Sequence, residues 1–248
     1  MFNLLLLSHG SRDPRPQEAV TKLAQLLLDK LPHSYIGTAT LELGEKPLHG
    51  QLKDFIENLP DNSPRSLHIL PLFLLPGTHV MQDIPAEIDL VLSVMNLNCQ
   101  VQVLPHLGSH GGMFELLSYQ QQAYTGDKLI DVWILLAHGS RYNHAHQSIK
   151  ELAHQLNTIP AYWAVAPSLE TQVEMLIEQG YNSLGILPYF LFSGGITDAI
   201  ARKVDAFREQ FPHVQITLAD PLGTTPLLAE MVLSLISEEL VEADGQGA

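Results

Sequence analysis

Residues 4–16 read LLLLSHGSRDPRP, and residues 133–145 read WILLAHGSRYNHA. Each is an apolar run without alternation that ends in His-Gly-Ser-Arg and opens into a polar stretch. An uninterrupted apolar run of this kind suits a strand buried on both faces, as in a parallel sheet covered by helices. Residues 2–8 therefore predict a buried strand. Beyond the turn, Val20, Leu23, Ala24, Leu27 and Leu31 recur at i, i+3, i+4, i+7 and i+11, one face of a helix packed on that sheet. Pro16 sits near its start, where a missing N–H costs nothing. Gly10 permits a tight strand-to-helix turn, and Ser11 is a candidate cap.

Working outward, apolar runs at 35–42, 67–75 and 100–105 predict three more strands, with helical patterns near 47–58, 83–95 and 112–123. After the polar break TGDK (125–128) the order repeats. DVWILLAH (131–138) matches the first strand, SLE (168–170) matches TLE (40–42), LPYFLF (187–192) matches LPLFLL (70–75), and VQITLADPLG (214–223) matches VQVLPHLG (101–108). The spacing between matched motifs shortens after the second strand, which predicts a lost turn or loop. The alternation of strand and helix predicts an α/β fold duplicated in two lobes, 1–126 and 127–248, facing each other across a cleft.

The chain has 248 residues, 46% of them hydrophobic, enough for sizeable cores. No apolar run approaches the ~20 residues that span a bilayer, and neither end shows a signal pattern. A soluble, cytoplasmic protein without membrane partners is expected. The single Cys99 excludes thiolate cages and the usual iron–sulfur ligation, so transition-metal chemistry has to rest on histidines and carboxylates. Twelve histidines stand against 13 Lys and Arg. A net charge of −14 argues against nucleic acid as a partner.

Ligands of parallel α/β sheets bind beyond the carboxyl ends of the strands. In the first half those ends carry Ser8, His9, Ser11 and Arg12, then Glu42, then Thr78 and His79, then His106 and His110. His9, Glu42 and His79 end three different strands and can converge on one point. Two imidazoles and a carboxylate with open positions suit a divalent first-row ion such as Fe²⁺, Co²⁺, Ni²⁺ or Zn²⁺. In the second half His138 repeats His9 and Glu170 repeats Glu42, but only Gly195 or Ile196 stands where His79 would. His144 and His146 are poor substitutes, being two residues apart on a helical stretch. His106 and His110 are candidates for a cleft wall or a relay for incoming metal, whereas His33, His49, His68, His154 and His213 read as structural.

HGSR after the first strand, LE after the second, PLFLLPGTHVMQDIP around the third and LPHLGSHGG after the fourth resemble the class II chelatases, specifically the sirohydrochlorin chelatase family. The resemblance covers nearly the whole chain. It implies a chelatase-like α/β fold of two similar lobes, each with a four-stranded, mostly parallel sheet flanked by helices. It also implies insertion of Fe²⁺ or Co²⁺ into sirohydrochlorin, on the way to siroheme or cobalamin, by a monomer with no permanently bound cofactor.

By this resemblance the metal-site histidines fall on His9 and His79 and the associated carboxylate on Glu42, which acts as ligand, as proton acceptor, or as both in turn. Ser8 and Ala137 stand where the family frequently has Gly. Longer cobalt-specific members can carry a His-rich stretch and a cysteine cluster that SEELVEADGQGA lacks, which favours iron. The substrate's carboxylates are expected at Ser11, Arg12, Arg15, Thr78 and Arg141, and its apolar faces at Leu74, Leu75, Pro76, Met81 and Phe192. The competing readings are a tetrapyrrole or metal carrier using the same cleft, and a hydrolase with Ser11 or Ser8 as nucleophile. The second lacks a G-x-S-x-G elbow.

Overall fold

The computed structural model describes residues 2–64, 66–94, 99–125, 129–140 and 143–245. In the first half, β1 (Asn3–Ser8), β2 (Tyr35–Thr40), β3 (Ser66–Pro71) and β4 (Gln100–Val103) form a sheet in the order β2-β1-β3-β4, with every pair parallel. Helices α1 (Pro14–Lys30), α2 (Leu48–Glu57), α3 (Ile84–Val94) and α4 (Met113–Thr125) alternate with these strands. In the second half, β5 (Val132–Ala137), β6 (Thr158–Tyr162), β7 (Ser183–Tyr189) and β8 (Gln215–Leu218) repeat the order as β6-β5-β7-β8, again all parallel. They alternate with α5 (Asn143–Gln155), α6 (Leu169–Glu178), α7 (Gly195–Gln210) and α8 (Pro226–Gly245). Among the described residues no helix is long and apolar enough to cross a membrane.

The opening leucines are unalternated because β1 lies inside its sheet with both faces covered: Leu4 to Leu7 are at most 1% exposed. Burying each such side chain is worth roughly 1.5–3 kcal/mol relative to leaving it in water. Trp133 to Ala137 of β5 are buried in the same way. Val20, Leu23, Ala24 and Leu27 form the buried face of α1, as their spacing predicts. The cap differs from expectation. The Asp13 side chain accepts from Arg15 N, Pro14 opens the helix, and Ser11 Oγ instead accepts from Asp13 N at 3.0 Å.

Two strands are shorter than their apolar runs. β2 ends at Thr40, and β3 ends at Pro71, one backbone bond (Leu72 N to Leu7 O, 2.8 Å) before its neighbour β1 runs out. Phe73 to Pro76 thus form a half-buried segment beyond the sheet. The next helix is preceded by a single π-helical turn, His79–Asp83.

The pairing of SLE with TLE is corrected by the structure. Glu42 N donates to His9 O at 2.9 Å, and the same bond in the second half runs from Ala164 N to His138 O at 2.9 Å. Ala164 is therefore the counterpart of Glu42. Glu170 lies in the first turn of α6, capped by Ser168, and pairs with Lys203. The shortening of the second half is spread over more than one loop.

The compact units also differ from the repeat. One comprises Met1–His110 with Thr224–Ala248, the other Gly111–Gly223. Each keeps one sheet but takes its last helix from the other half of the sequence. In the first unit Thr224, two residues before α8, donates through Oγ1 to Ala19 O of α1 at 3.0 Å, and Glu230 of α8 pairs with Lys30 at 3.4 Å. In the second, Tyr124 of α4 donates to Asp220 at 2.5 Å beyond β8. Gly126 to Lys128 of the expected linker lie outside the described residues.

Candidate metal centre

In the strand order β2-β1-β3-β4 the connections leaving β1 and β3 diverge, so the carboxyl ends of these two adjacent strands flank a crevice at the topological switch point. His9 follows β1 directly, His79 lies beyond β3, and Glu42 lies two residues beyond β2, on the other side of β1. The structure brings all three together. Their ligand atoms lie within 4.8 Å of one another, with His9 and Glu42 exposed and His79 half-buried. Among the described residues this is the one group of three or more such side chains able to hold a metal ion.

Gly10 sets the approach of the first and second loops. Its φ is +94°, and a Cβ there would stand 1.9 Å from Glu42 O. Only glycine lets the chain turn left-handed while passing this close. Leu43, the next residue after Glu42, is held at φ +58° and is 59% exposed, a conformation unusual for a branched apolar side chain.

The imidazoles face each other. His9 Nε2 and His79 Nε2 are 3.1 Å apart, with the rings nearly perpendicular at 86°. His9 Nδ1 lies 3.1 Å from Gly10 O, and His79 Nδ1 lies 2.8 Å from Asp83 Oδ2. A carbonyl and a carboxylate only accept, so each Nδ1 acts as the donor in its bond and both Nε2 atoms are turned to the same space. One ion at ~2.1 Å from each nitrogen tolerates separations up to ~4.2 Å, which the observed spacing satisfies. Phe73 packs beside both rings, at 6.3 Å from His9 and 6.1 Å from His79 between centroids. It supplies an apolar floor on which they are oriented.

The remaining expected residues divide. Met81 is 60% exposed on the turn that carries His79, and Thr78 is exposed at the start of that turn. Arg12 is exposed on an open groove along α1 shared with Ser11, Gln17 and Lys22. Arg15 is bound to the Asp13 carboxylate through its guanidinium, which holds the Asp13 pKa below the ordinary carboxylate value, so much of its charge is already answered. Leu74, Leu75 and Pro76 are half-buried, as is Phe192 in the second unit. Arg141 and the His144 side chain lie outside what the structure describes.

The hydroxyls expected of a hydrolase are engaged elsewhere: Ser8 Oγ donates to Ala39 O at 3.4 Å, and Ser11 Oγ takes the Asp13 N–H. His110, with its side chain 11% exposed, pairs with Glu238 of α8 at 3.5 Å. Burial lowers the pKa of His106 and favours the neutral ring.

At the second turn, His138 is exposed but has Ala164 at the Glu42 position, and the sequence offers only Gly195 or Ile196, neither a ligand, where His79 stands in the first half. His146 accepts from Ser140 N at 3.2 Å and stacks on Tyr162 at 4.6 Å, so it shapes the turn. Glu170 is drawn to Lys203, whose ammonium lies 5.5 Å from the Trp163 ring centroid. Asp83, Phe73 and the Gly10 contact were not among the expected site features. Asp83 alone left a signal in the sequence, an acid four residues after a candidate ligand on a helical stretch.

The sequence model of the CbiX family matches residues 3–123 and 132–239. The sirohydrochlorin cobaltochelatase of Priestia megaterium is 25% identical over 262 residues, an alignment covering 98% of this chain and 81% of the relative. The sirohydrochlorin ferrochelatase of the same organism is 24% identical over 254 residues, covering 96% and 92%. The solved structure of SirB from Bacillus subtilis with Fe³⁺ superposes with a TM-score of 0.81 at 20% identity, covering 99% of this chain and 98% of that one. The two-sheet α/β architecture is therefore shared with a chelatase of known structure.

Proposed function

We propose that this chain, which belongs to the CbiX family, inserts a divalent metal ion into sirohydrochlorin, with Fe²⁺ preferred to Co²⁺. The observation that carries the reading is the convergence of His9, Glu42 and His79 from three strand ends, with both Nε2 atoms turned inward. The relatives named above support the substrate, and the ion is a substrate as well.

Insertion needs a metal held from one side by weak, releasable ligands, a ring presented from the other side, and removal of two pyrrolic protons. His9 and His79 hold the ion through neutral nitrogen. The neutral ring is the form of imidazole that binds metal. The exposure of His9 and Glu42 leaves that side open to the incoming ring. Glu42 stands beside both histidines and serves as ligand, proton acceptor, or each in turn; a placed base is worth roughly 10²–10⁴-fold. Met81 and Leu43 offer apolar contact to the macrocycle, and Arg12 and Ser11 meet its carboxylates. The acidic remainder of the chain raises the local concentration of the cation. Relatives named for cobalt and for iron stand at similar identity, 25% and 24%, so the choice of iron is carried by the insertion assay.

Anaerobic insertion followed by absorbance, with sirohydrochlorin in excess and Fe²⁺, Co²⁺ and Ni²⁺ compared side by side, tests both levels. Many turnovers, fastest with Fe²⁺, are expected. Conversion that stops at one equivalent of protein would identify a carrier, and a faster rate with Co²⁺ would overturn the metal preference.

A further inference from the structure

We infer that Asp83 is a positioning residue for metal capture, fixing the ring of His79 so that Nε2 points at the incoming ion. The inference rests on the reading of His79 as a metal ligand. Its observations are the 2.8 Å bond between His79 Nδ1 and Asp83 Oδ2 and the π-helical turn that begins at His79 and ends at Asp83. In that turn Ile84 N bonds to His79 O, one residue beyond the α-helical register. Such turns are rare and occur mostly as single insertions at functional sites.

The two imidazoles are oriented by different means. The Gly10 carbonyl that takes the His9 Nδ1 hydrogen belongs to the backbone of a turn already determined by glycine. The group that takes the His79 hydrogen is a side chain, on a half-buried residue: the Asp83 side chain is 45% exposed. A half-buried acid at that place adds little apolar packing, whereas a carboxylate bonded to the distal nitrogen of a metal-binding imidazole selects the tautomer and the ring orientation and makes the ligand more basic. Without it, the His79 ring is free to turn over, and Nε2 no longer faces His9 in every molecule.

Loss of such a partner typically costs 10–100-fold in metal affinity. Co²⁺ binding to the full chain without tetrapyrrole, read by its visible ligand-field spectrum, measures this directly. Asp83→Ala is expected to weaken Co²⁺ binding about 10–100-fold with an unchanged melting temperature. Asp83→Asn, whose amide oxygen can accept the same hydrogen, is expected to fall between Asp83→Ala and the parent. In long-range ¹H–¹⁵N spectra of the metal-free protein, His79 is expected as the Nδ1–H tautomer in the parent and as a mixture in Asp83→Ala.

Parent-like Co²⁺ affinity in both Asp83 variants, with binding lost in His79→Ala, would overturn this inference and leave the metal centre standing. Parent-like affinity in His79→Ala would overturn the metal centre itself. Should Asp83→Ala fail to fold, Asp83→Asn and its His79 tautomer decide the matter.

Discussion

His9 Nε2 and His79 Nε2 lie 3.1 Å apart although 70 residues separate them in the chain. Two elements make this contact possible. β1 and β3 are direct neighbours in the sheet, with Leu7 opposite Pro71, so their ends emerge side by side. The π-helical turn then carries the His79 ring back over the end of β1. With both Nδ1 atoms bonded to acceptors, both Nε2 atoms face the space between the rings.

Glu42→Gln separates metal holding from proton removal. The amide keeps the shape of the carboxylate but is neither a base nor a strong ligand. The insertion rate is expected to fall by about 10²–10⁴-fold, with a smaller loss of Co²⁺ affinity than in His79→Ala. Stopped-flow insertion and Co²⁺ titration on the same preparations check this; an unchanged insertion rate would remove Glu42 from the chemistry.

Gly10→Ala is expected to damage the site through the backbone. The added Cβ has no room beside Glu42 O, and φ at +94° is unfavourable for alanine. Destabilisation by more than about 1 kcal/mol in urea unfolding is expected, together with loss of Co²⁺ binding as the Glu42 loop moves away. A variant as stable as the parent, with the metal site intact, would contradict the role given to this contact.

Much of this was legible in the sequence, for a physical reason: in a parallel sheet the site residues stand at strand ends, and strand ends are marked by where apolar runs stop. His9, Glu42 and His79 were visible in this way. Phe73 was not, because its apolar run reads as strand, yet β3 stops at Pro71 with only the Leu72 N to Leu7 O bond beyond it. Asp83 depends on a π-helical turn that no periodicity announces. Glu170 misled because SLE resembles TLE as a string, while the ladder bond to the His138 carbonyl comes from Ala164. The compact units escaped for a related reason: repeats are read along the chain, but α4 and α8 each pack in the unit of the other half.

Acid sensitivity of the fold is expected from two histidines. His68 is buried, stacked on Phe2 at 4.5 Å, and burial lowers its pKa; burial does the same for His106. Between those lowered values and the ordinary value near ~6.5, the unfolded chain binds protons that the folded chain refuses. Stability therefore falls as pH drops below ~6.5. Urea unfolding at pH 7.5 and 5.5 is expected to show this loss, and a smaller one in His68→Leu. An equal loss in that variant would show that His68 is not among the groups responsible.

The two His-Gly-Ser-Arg turns give the most direct test. His9 has Glu42 and His79 beside it, whereas His138 has Ala164 at the Glu42 position and only Gly195 or Ile196 in the sequence where His79 would stand. Initial rates of metal insertion into sirohydrochlorin by His79→Ala and His138→Ala, measured beside the parent at saturating Fe²⁺, follow from that asymmetry. The account predicts near-complete loss in His79→Ala and a mild effect in His138→Ala. Equal loss in the two variants, or an active His79→Ala, would contradict it.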